Sequence, residues 1–277
     1  MTPLLDISAA RVFFDGTFST PRLAHPEGVA VHADGSIWCG TETGDLLRIL
    51  ADGSSVAHIA GTSGFLLGIA FDSAGNVFAC DLKHAGIFRY DASSGHMEKF
   101  ASSGILVPNY PVVDETRGVL YVSDSRGNGN PGPGIFRFDL RTGEGGVWCN
   151  EAMDFANGMA MAADGSGLYV VQSDVPCISF VPILPDGAAG RVVTVTRAVE
   201  TVPDGLALAP EGALYISCYE PSRIYRLMPG RAEVELLIED RKATTIAHPT
   251  NVALKGDKLY TANLGRWHIT EIDLSSL

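Results

Sequence analysis

The chain has 277 residues, with 20 Lys plus Arg against 32 Asp plus Glu, a formal charge of −12. This balance, with no basic cluster to displace counterions from a phosphate backbone, argues against nucleic acid as a partner. Hydrophobic residues make up 46% and charged ones 19%, which suits a well-buried globular core and excludes a disordered chain. No apolar run approaches the roughly 18 residues of a membrane span, and the start MTPLLDISAARVFF has no basic segment leading into a long apolar one. A cytoplasmic protein without a membrane partner is expected.

In chain order the first extended segment is RVFFDG, residues 11 to 16. A unit of apolar strand, turn and aromatic-centred strand then recurs as EGVAVHADGSIWCG, LGIAFDSAGNVFAC, NYPVVDETRGVLYVS, NGMAMAADGSGLYVV, DGLALAPEGALYIS and TNVALKGDKLYTA. The units begin at Glu27, Leu67, Asn109, Asn157, Asp204 and Thr250, at intervals of 40 to 48 residues. That period is the length of one four-stranded propeller blade. Third strands follow as DLLRI, GIFRYD, GIFRFD, CISFV, SRIYRL and HITEID, and outer strands as SVAHIA, MEKFA, GGVWC, RVVTVTRA and AEVELLIE. Segments this short, rich in β-branched and aromatic residues and bounded by Asp34-Gly35, Asp164-Gly165 and Glu211-Gly212, leave no room for helices.

The sixth unit lacks an outer strand, and RVFFDG is the one segment left to supply it. The expected fold is therefore all-β: a six-bladed β-propeller of four-stranded blades, one domain over residues 1–277, its ring closed by the N-terminal strand. Along the second strands, Trp38, Phe78, Tyr121, Tyr169, Tyr215 and Tyr260 alternate at period two with Gly40, Cys80, Ser123, Val171, Ser217 and Ala262, a large and small pairing suited to blade packing. The five cysteines, Cys39, Cys80, Cys149, Cys177 and Cys218, form no C-x-x-C pair and read as buried structural thiols.

In a propeller the first strand of each blade lines the central channel, so Glu27, Leu67, Asn109, Asn157, Asp204 and Thr250 gather at one mouth. Two carboxylates and two Asn carbonyls at one repeat position are costly in a narrow channel unless a cation compensates them. An all-oxygen set with charge −2 suits a hard divalent ion, Ca2+ first, with Zn2+, Mn2+ or Mg2+ as possible substitutes. About four protein ligands leave coordination places for water and substrate. The alternative for Asn157-Gly158 and Asp204-Gly205 is that of ordinary turn residues leading into strands.

HPEGVAV, FANGMAM and VPDGLAL resemble the blade openings of the SMP-30/gluconolactonase/LRE-like family, six-bladed propellers that include calcium-dependent lactonases. The resemblance spans essentially the whole chain. It implies metal ligation by Glu27, Asn157 and Asp204, and by Asn109 in VPNYPVVD. It departs at Val107, where the sugar-lactone enzymes of animals place an Arg that contacts the substrate. The strictosidine synthase branch has similar repeats without this constellation, so the four ligands favour the hydrolase side.

At the same mouth the second strands end in Thr41, Asp81, Asp124, Gln172, Cys218 and Asn263. Asp124 and Arg126 open the loop SRGNGNPGPG, which has the composition of a surface turn able to cover a pocket. Its G-x-G, Gly127 to Gly129, is no dinucleotide fingerprint, because no helical pattern follows. His248 is the histidine best placed for proton transfer, with His25 in a similar position, and either is equally readable as a structural hydrogen-bonding residue. Tyr110, Phe65, Tyr219 and Trp267 are candidates for an apolar wall or for packing between blades.

Asn109, Asp124, Tyr110, Arg126 and Tyr219 are thus the expected substrate contacts, and Asp204 and His248 the expected catalytic groups. The expected activity is hydrolysis of a small lactone, with the cation polarising the carbonyl and the substrate a small molecule. Rivals are hydrolysis of another ester, a phosphoester or a C–N bond at the same site, and a binding scaffold without chemistry.

Overall fold

Turns break the chain every few residues and leave only extended segments between them. At Asp34-Gly35, for example, Gly35 holds φ +87° and the Asp34 carboxylate accepts from the Ser36 amide at 2.9 Å, the chemistry of a tight turn. In the computed structural model, which describes every residue except Gly127, Asn128, Asn130, Ala198, Glu200 and Thr201, the strands form six four-stranded antiparallel sheets. They are the blades of a six-bladed β-propeller. The G-x-G at 127 to 129, and with it the proposed covering loop, lies partly outside the described residues.

Blade 1 consists of Val29–Val31, Ile37–Gly40, Asp45–Ile49 and Val56–Gly61. Blades 2 to 5 repeat this order with first strands Leu66–Phe71, Pro108–Asp114, Ala156–Met161 and Pro203–Leu208. Blade 6 takes three strands from the C-terminal end, Pro249–Lys255, Lys258–Asn263 and His268–Asp273. Its outer strand is Ala10–Asp15, paired antiparallel with His268–Asp273, so the N-terminal segment closes the ring as its sequence suggests. Among the described residues no helix is long and apolar enough to cross a membrane.

The core lies between blades. Leu67, Phe78, Cys80 and Ile87 of blade 2 pack on Leu120, Val122, Phe136 and Phe138 of blade 3, and similar clusters fill the other seams. The small residues at Cys80 and Ala262 are fully buried beside the large aromatics, which accounts for the alternation along the second strands. All five cysteines are buried free thiols, and burial raises the pKa of Cys39, Cys80 and Cys218, which keeps these thiols unreactive. At the end of the channel away from the column residues, Val31, Phe71, Val113, Met161, Leu208 and Ala253 line an apolar cavity of about 370 Å³.

Candidate metal centre

In five of the six blades the first strand carries a β-bulge near its start, at the column residue. Register shifts fall between Leu66 and Ile69, Pro108 and Pro111, Ala156 and Met159, Pro203 and Leu206, and Pro249 and Val252. In blade 1 the amide of Glu27 donates to Gly40 O at 3.2 Å and Gly40 N to Gly28 O at 3.2 Å, which sets Glu27 and Gly28 at the same place. An extra residue in one strand re-aims a side chain, and the extra residues fall at Asn109, Asn157 and Asp204.

The following residue is Gly in four blades, because adjacent first strands nearly touch there. A Cβ on Gly68 would stand 2.6 Å from Asn109 O, one on Gly158 2.6 Å from Asp204 O, and one on Gly205 2.6 Å from Thr250 O. Blade 6 has Asn251 instead. Its Nδ2 donates to Glu27 O at 3.2 Å and Thr250 Oγ1 donates to the same oxygen at 2.9 Å, so the sixth blade grips the first through the Glu27 carbonyl.

Glu27 and Asp204 are half-buried, while Asn109 and Asn157 are buried. Burial raises the Glu27 carboxyl to about 7, against a bond from the Thr250 side chain that lowers it. Burial, and then the charge of Glu27, raise Asp204 well above the usual carboxylate range, while a hydrogen bond from Asn157 works the other way. The two acids are therefore near enough for the charge of one to act on the other. Asn157 Nδ2 also donates to Ser173 Oγ at 3.1 Å, and its Oδ1 is buried without a hydrogen-bond partner.

Among the described residues no three His, Cys, Asp or Glu side chains gather, so any cation here depends on the amide oxygens of Asn109 and Asn157 as well as on the two acids. Among the described residues no cation pairs with the two carboxylates, the Asn157 amide oxygen is left without a partner, and the set contains no soft donor. This donor set fits a hard divalent ion.

Ser173 was not recognised in the sequence. Its hydroxyl donates to Pro203 O at 2.7 Å and so links Asn157 to the residue before Asp204. Ser125 does the same one blade earlier, donating to Ala156 O at 2.6 Å. Serine directly after the second strand in consecutive blades is the signal that could have revealed this link.

The polar end column is committed elsewhere. Asp124 is fully buried and accepts from the amides of Leu106 at 3.2 Å and Val107 at 2.9 Å, with Arg126 Nε 3.4 Å away. Gln172 accepts from Asp154 N at 3.0 Å, and Asn263 accepts from Ala247 N at 2.8 Å. Asp81 is fully buried and accepts from His84 N at 2.9 Å. Each of these side chains braces a loop at the mouth of its own blade.

Tyr110 fits against Gly68, and burial raises its hydroxyl to about 12. The Tyr219 ring lies 4.8 Å from that of His248, whose Nδ1 is 2.9 Å from Glu220 Oε2. His25 pairs with Glu42, and its ring is 5.0 Å from Trp267. His248 and His25 thus stand on neighbouring blades, each beside a carboxylate.

The model of the SMP-30/gluconolactonase/LRE-like region matches residues 67–264, and that of the strictosidine synthase-like N-terminal region matches residues 18–49. No curated protein sequence matches the chain significantly. Among solved structures, a gluconolactonase from Xanthomonas campestris is 18% identical over 95% of this chain and 89% of its own, with TM-score 0.76. Regucalcin from Agrobacterium tumefaciens, described as a calcium-binding protein, is 16% identical over 98% of this chain and 95% of its own, with TM-score 0.75. A chain of a nidogen–laminin complex is 17% identical over 87% and 90%, with TM-score 0.72. At such identities the likeness is one of fold.

Proposed function

The chain belongs to the SMP-30/gluconolactonase/LRE-like family, and from that premise we propose that it is a divalent-metal-dependent lactonase, with Ca2+ as the first-choice ion. The observation that carries the reading is the half-buried acid pair Glu27 and Asp204 beside the unpartnered Oδ1 of Asn157. The calcium-binding description of the regucalcin neighbour agrees with the choice of ion.

In this reading Glu27, Asn109, Asn157 and Asp204 hold the ion. When bound, the ion supplies Lewis-acid polarisation of the scissile carbonyl. Thr250 and Asn251 fix the Glu27 backbone, so that acid keeps its place as charge changes in the site. Asp204, a carboxylate beside the carbonyl-polarising ion, is the group we assign to take a proton from the attacking water. The Asn157 amide orients the Asp204 carboxylate. His248 is the second candidate for proton transfer, held by Glu220.

The test is a pH-indicator screen of lactones, aryl esters and phosphoesters with and without metal, because lactone opening releases a proton. Turnover lost in chelator and restored by Ca2+ supports the reading. Full turnover in excess chelator, with metal absence verified by elemental analysis, overturns it.

A further inference from the structure

Two residues before each column residue stands a rim residue: His25, Phe65, Val107, Phe155, Val202 and His248. In blades 2 to 6 the amide that follows the second strand donates to the rim carbonyl. The pairs are Leu82 to Phe65 at 2.9 Å, Ser125 to Val107 at 2.9 Å, Ser173 to Phe155 at 3.1 Å, Tyr219 to Val202 at 2.9 Å and Leu264 to His248 at 3.2 Å. These rungs hold the rim to the mouth, and two residues of chain span at most about 7 Å. A molecule approaching the acid pair from this end therefore meets the rim first.

The rim has two sides. Four consecutive blades, 2 to 5, contribute Phe65, Val107, Phe155 and Val202, while blades 6 and 1, adjacent at the closure, contribute His248 and His25 with their carboxylate partners. The apolar side is only partly packed away: Val202 is 42% exposed, Leu106 next to Val107 is 53% exposed, Val107 and Phe155 are half-buried, and Phe65 is half-buried with part of its ring against the seam between blades 2 and 3. Phe155 also holds φ +58°, with His25 at +40° and His248 at +52°. Bulky residues rarely adopt that region, and such strain gathers where a side chain must be aimed. Apolar side chains left partly open within two residues of a polar centre are suited to contact a ligand that reaches it.

We propose that this rim selects lactones bearing an apolar substituent, with the hydrocarbon on the Phe65, Val107, Phe155 and Val202 side and the ester turned toward the histidines. The proposal rests on the lactonase reading above and names its substrate class. Polyhydroxylated sugar lactones are disfavoured, because their hydroxyls would lose water against four side chains that offer no hydrogen bond.

The experiment measures kcat/KM for γ-lactones with alkyl groups of one to six carbons, and for glucono-1,5-lactone, on the Ca2+-loaded protein. In parallel, calorimetry measures binding of the matching unreactive γ-lactams. The expected result is a rise of about fourfold per methylene in both series, with the sugar lactone the poorest substrate. Val202→Ser and, separately, Phe155→Ser should flatten both slopes without changing Ca2+ affinity. Val202 is exposed, so its variant keeps the test valid if the Phe155 variant fails to fold. Turnover of sugar and alkyl lactones alike, with no slope, overturns the rim proposal and leaves the lactonase reading standing. Absence of all turnover, with lactam binding that still rises with chain length, supports the rim and overturns the lactonase reading. Flat lactam binding overturns the rim whatever the turnover.

Discussion

Asp204 has two proposed duties, and one substitution separates them. Asp204→Asn keeps the size and a carbonyl donor while removing a charge and the capacity to accept a proton. If Asp204 is both ligand and base, the variant folds, binds Ca2+ more weakly by calorimetry, and stays on the order of 100-fold slow at saturating Ca2+. A wild-type rate at saturating Ca2+ would make it a ligand only and move proton transfer to His248. Glu27 gives a pH-dependent counterpart. Its carboxyl is raised to about 7 in the fold, so its contribution to stability is whole below about pH 4.5, its ordinary value, and is lost as pH rises through 7. In chelator, the melting temperature of Glu27→Gln should therefore rise relative to wild type between pH 4.5 and 7, and saturating Ca2+ should reverse that difference. A pH-independent difference would mean that the acid is not desolvated on the axis. The four proposed donors stand out in the sequence because a repeat position exposes polar residues that break its apolar pattern. Asp124 and Asn263 looked equally available for the same reason; that their side chains are taken up by loop amides is decided by contacts between segments, which no spacing encodes. Glu42 and Glu220, the partners of His25 and His248, sit at no repeated position and carried no signal.

The unit that aims these residues is the bulged start of the first strand, and its tolerance for side chains is set by the neighbouring strand. At Gly158 a methyl group would meet Asp204 O at 2.6 Å, Gly205 Cα at 2.6 Å and Leu206 N at 2.9 Å, all backbone atoms that no rotamer change can move. Gly158→Ala should therefore cost about 1–3 kcal/mol in urea unfolding and weaken Ca2+ binding, because the atoms displaced belong to the strand start that carries Asp204. Gly146→Ala on an outer strand, where the added carbon meets nothing within 4 Å, is the control and should stay within about 0.5 kcal/mol. Equal effects at the two sites would sink the account of close contact between neighbouring first strands. Strand identity and blade order were readable from turn dipeptides and from the period of the repeat. The bulges were not, since an extra residue in a ladder shows only when both partners are aligned; a turn was the alternative weighed for Gly158 and Gly205.

At the scale of the whole ring, closure and chemistry meet at one seam. The strand Ala10–Asp15 completes blade 6, with Phe13 buried against Tyr260 at 5.2 Å between ring centres and Arg11 bonded to both oxygens of Glu271 at 3.0 and 3.1 Å. Further toward the N-terminus, the amides of Leu4 and Leu5 donate to Leu236 and Leu237 of blade 5 at 2.9 Å each, so the segment ties two blades. Twelve residues after this strand the chain reaches Glu27, whose carbonyl is gripped by Thr250 and Asn251 of blade 6. Removing residues 1–16 exposes the edge of His268–Asp273 and takes away the buried Leu5 and Phe13, at about 1.5–3 kcal/mol for each side chain. The melting temperature should fall by roughly 10 °C or more. The 277-residue chain should melt in a single transition if residues 1–277 form one domain, as we propose. Because the seam loosens beside Glu27, the truncated protein should also bind Ca2+ more weakly at temperatures where it is still folded. Arg11→Ala removes a side chain that is itself 61% exposed and leaves the buried Glu271 its bond from the Tyr260 hydroxyl at 3.1 Å, so it should change both much less than the truncation does. A truncated protein with an unchanged melting curve would mean that the ring is held without its N-terminal strand. A lowered melting curve with unchanged Ca2+ affinity would separate closure from the metal centre and leave Thr250 and Asn251 to hold Glu27 unaided.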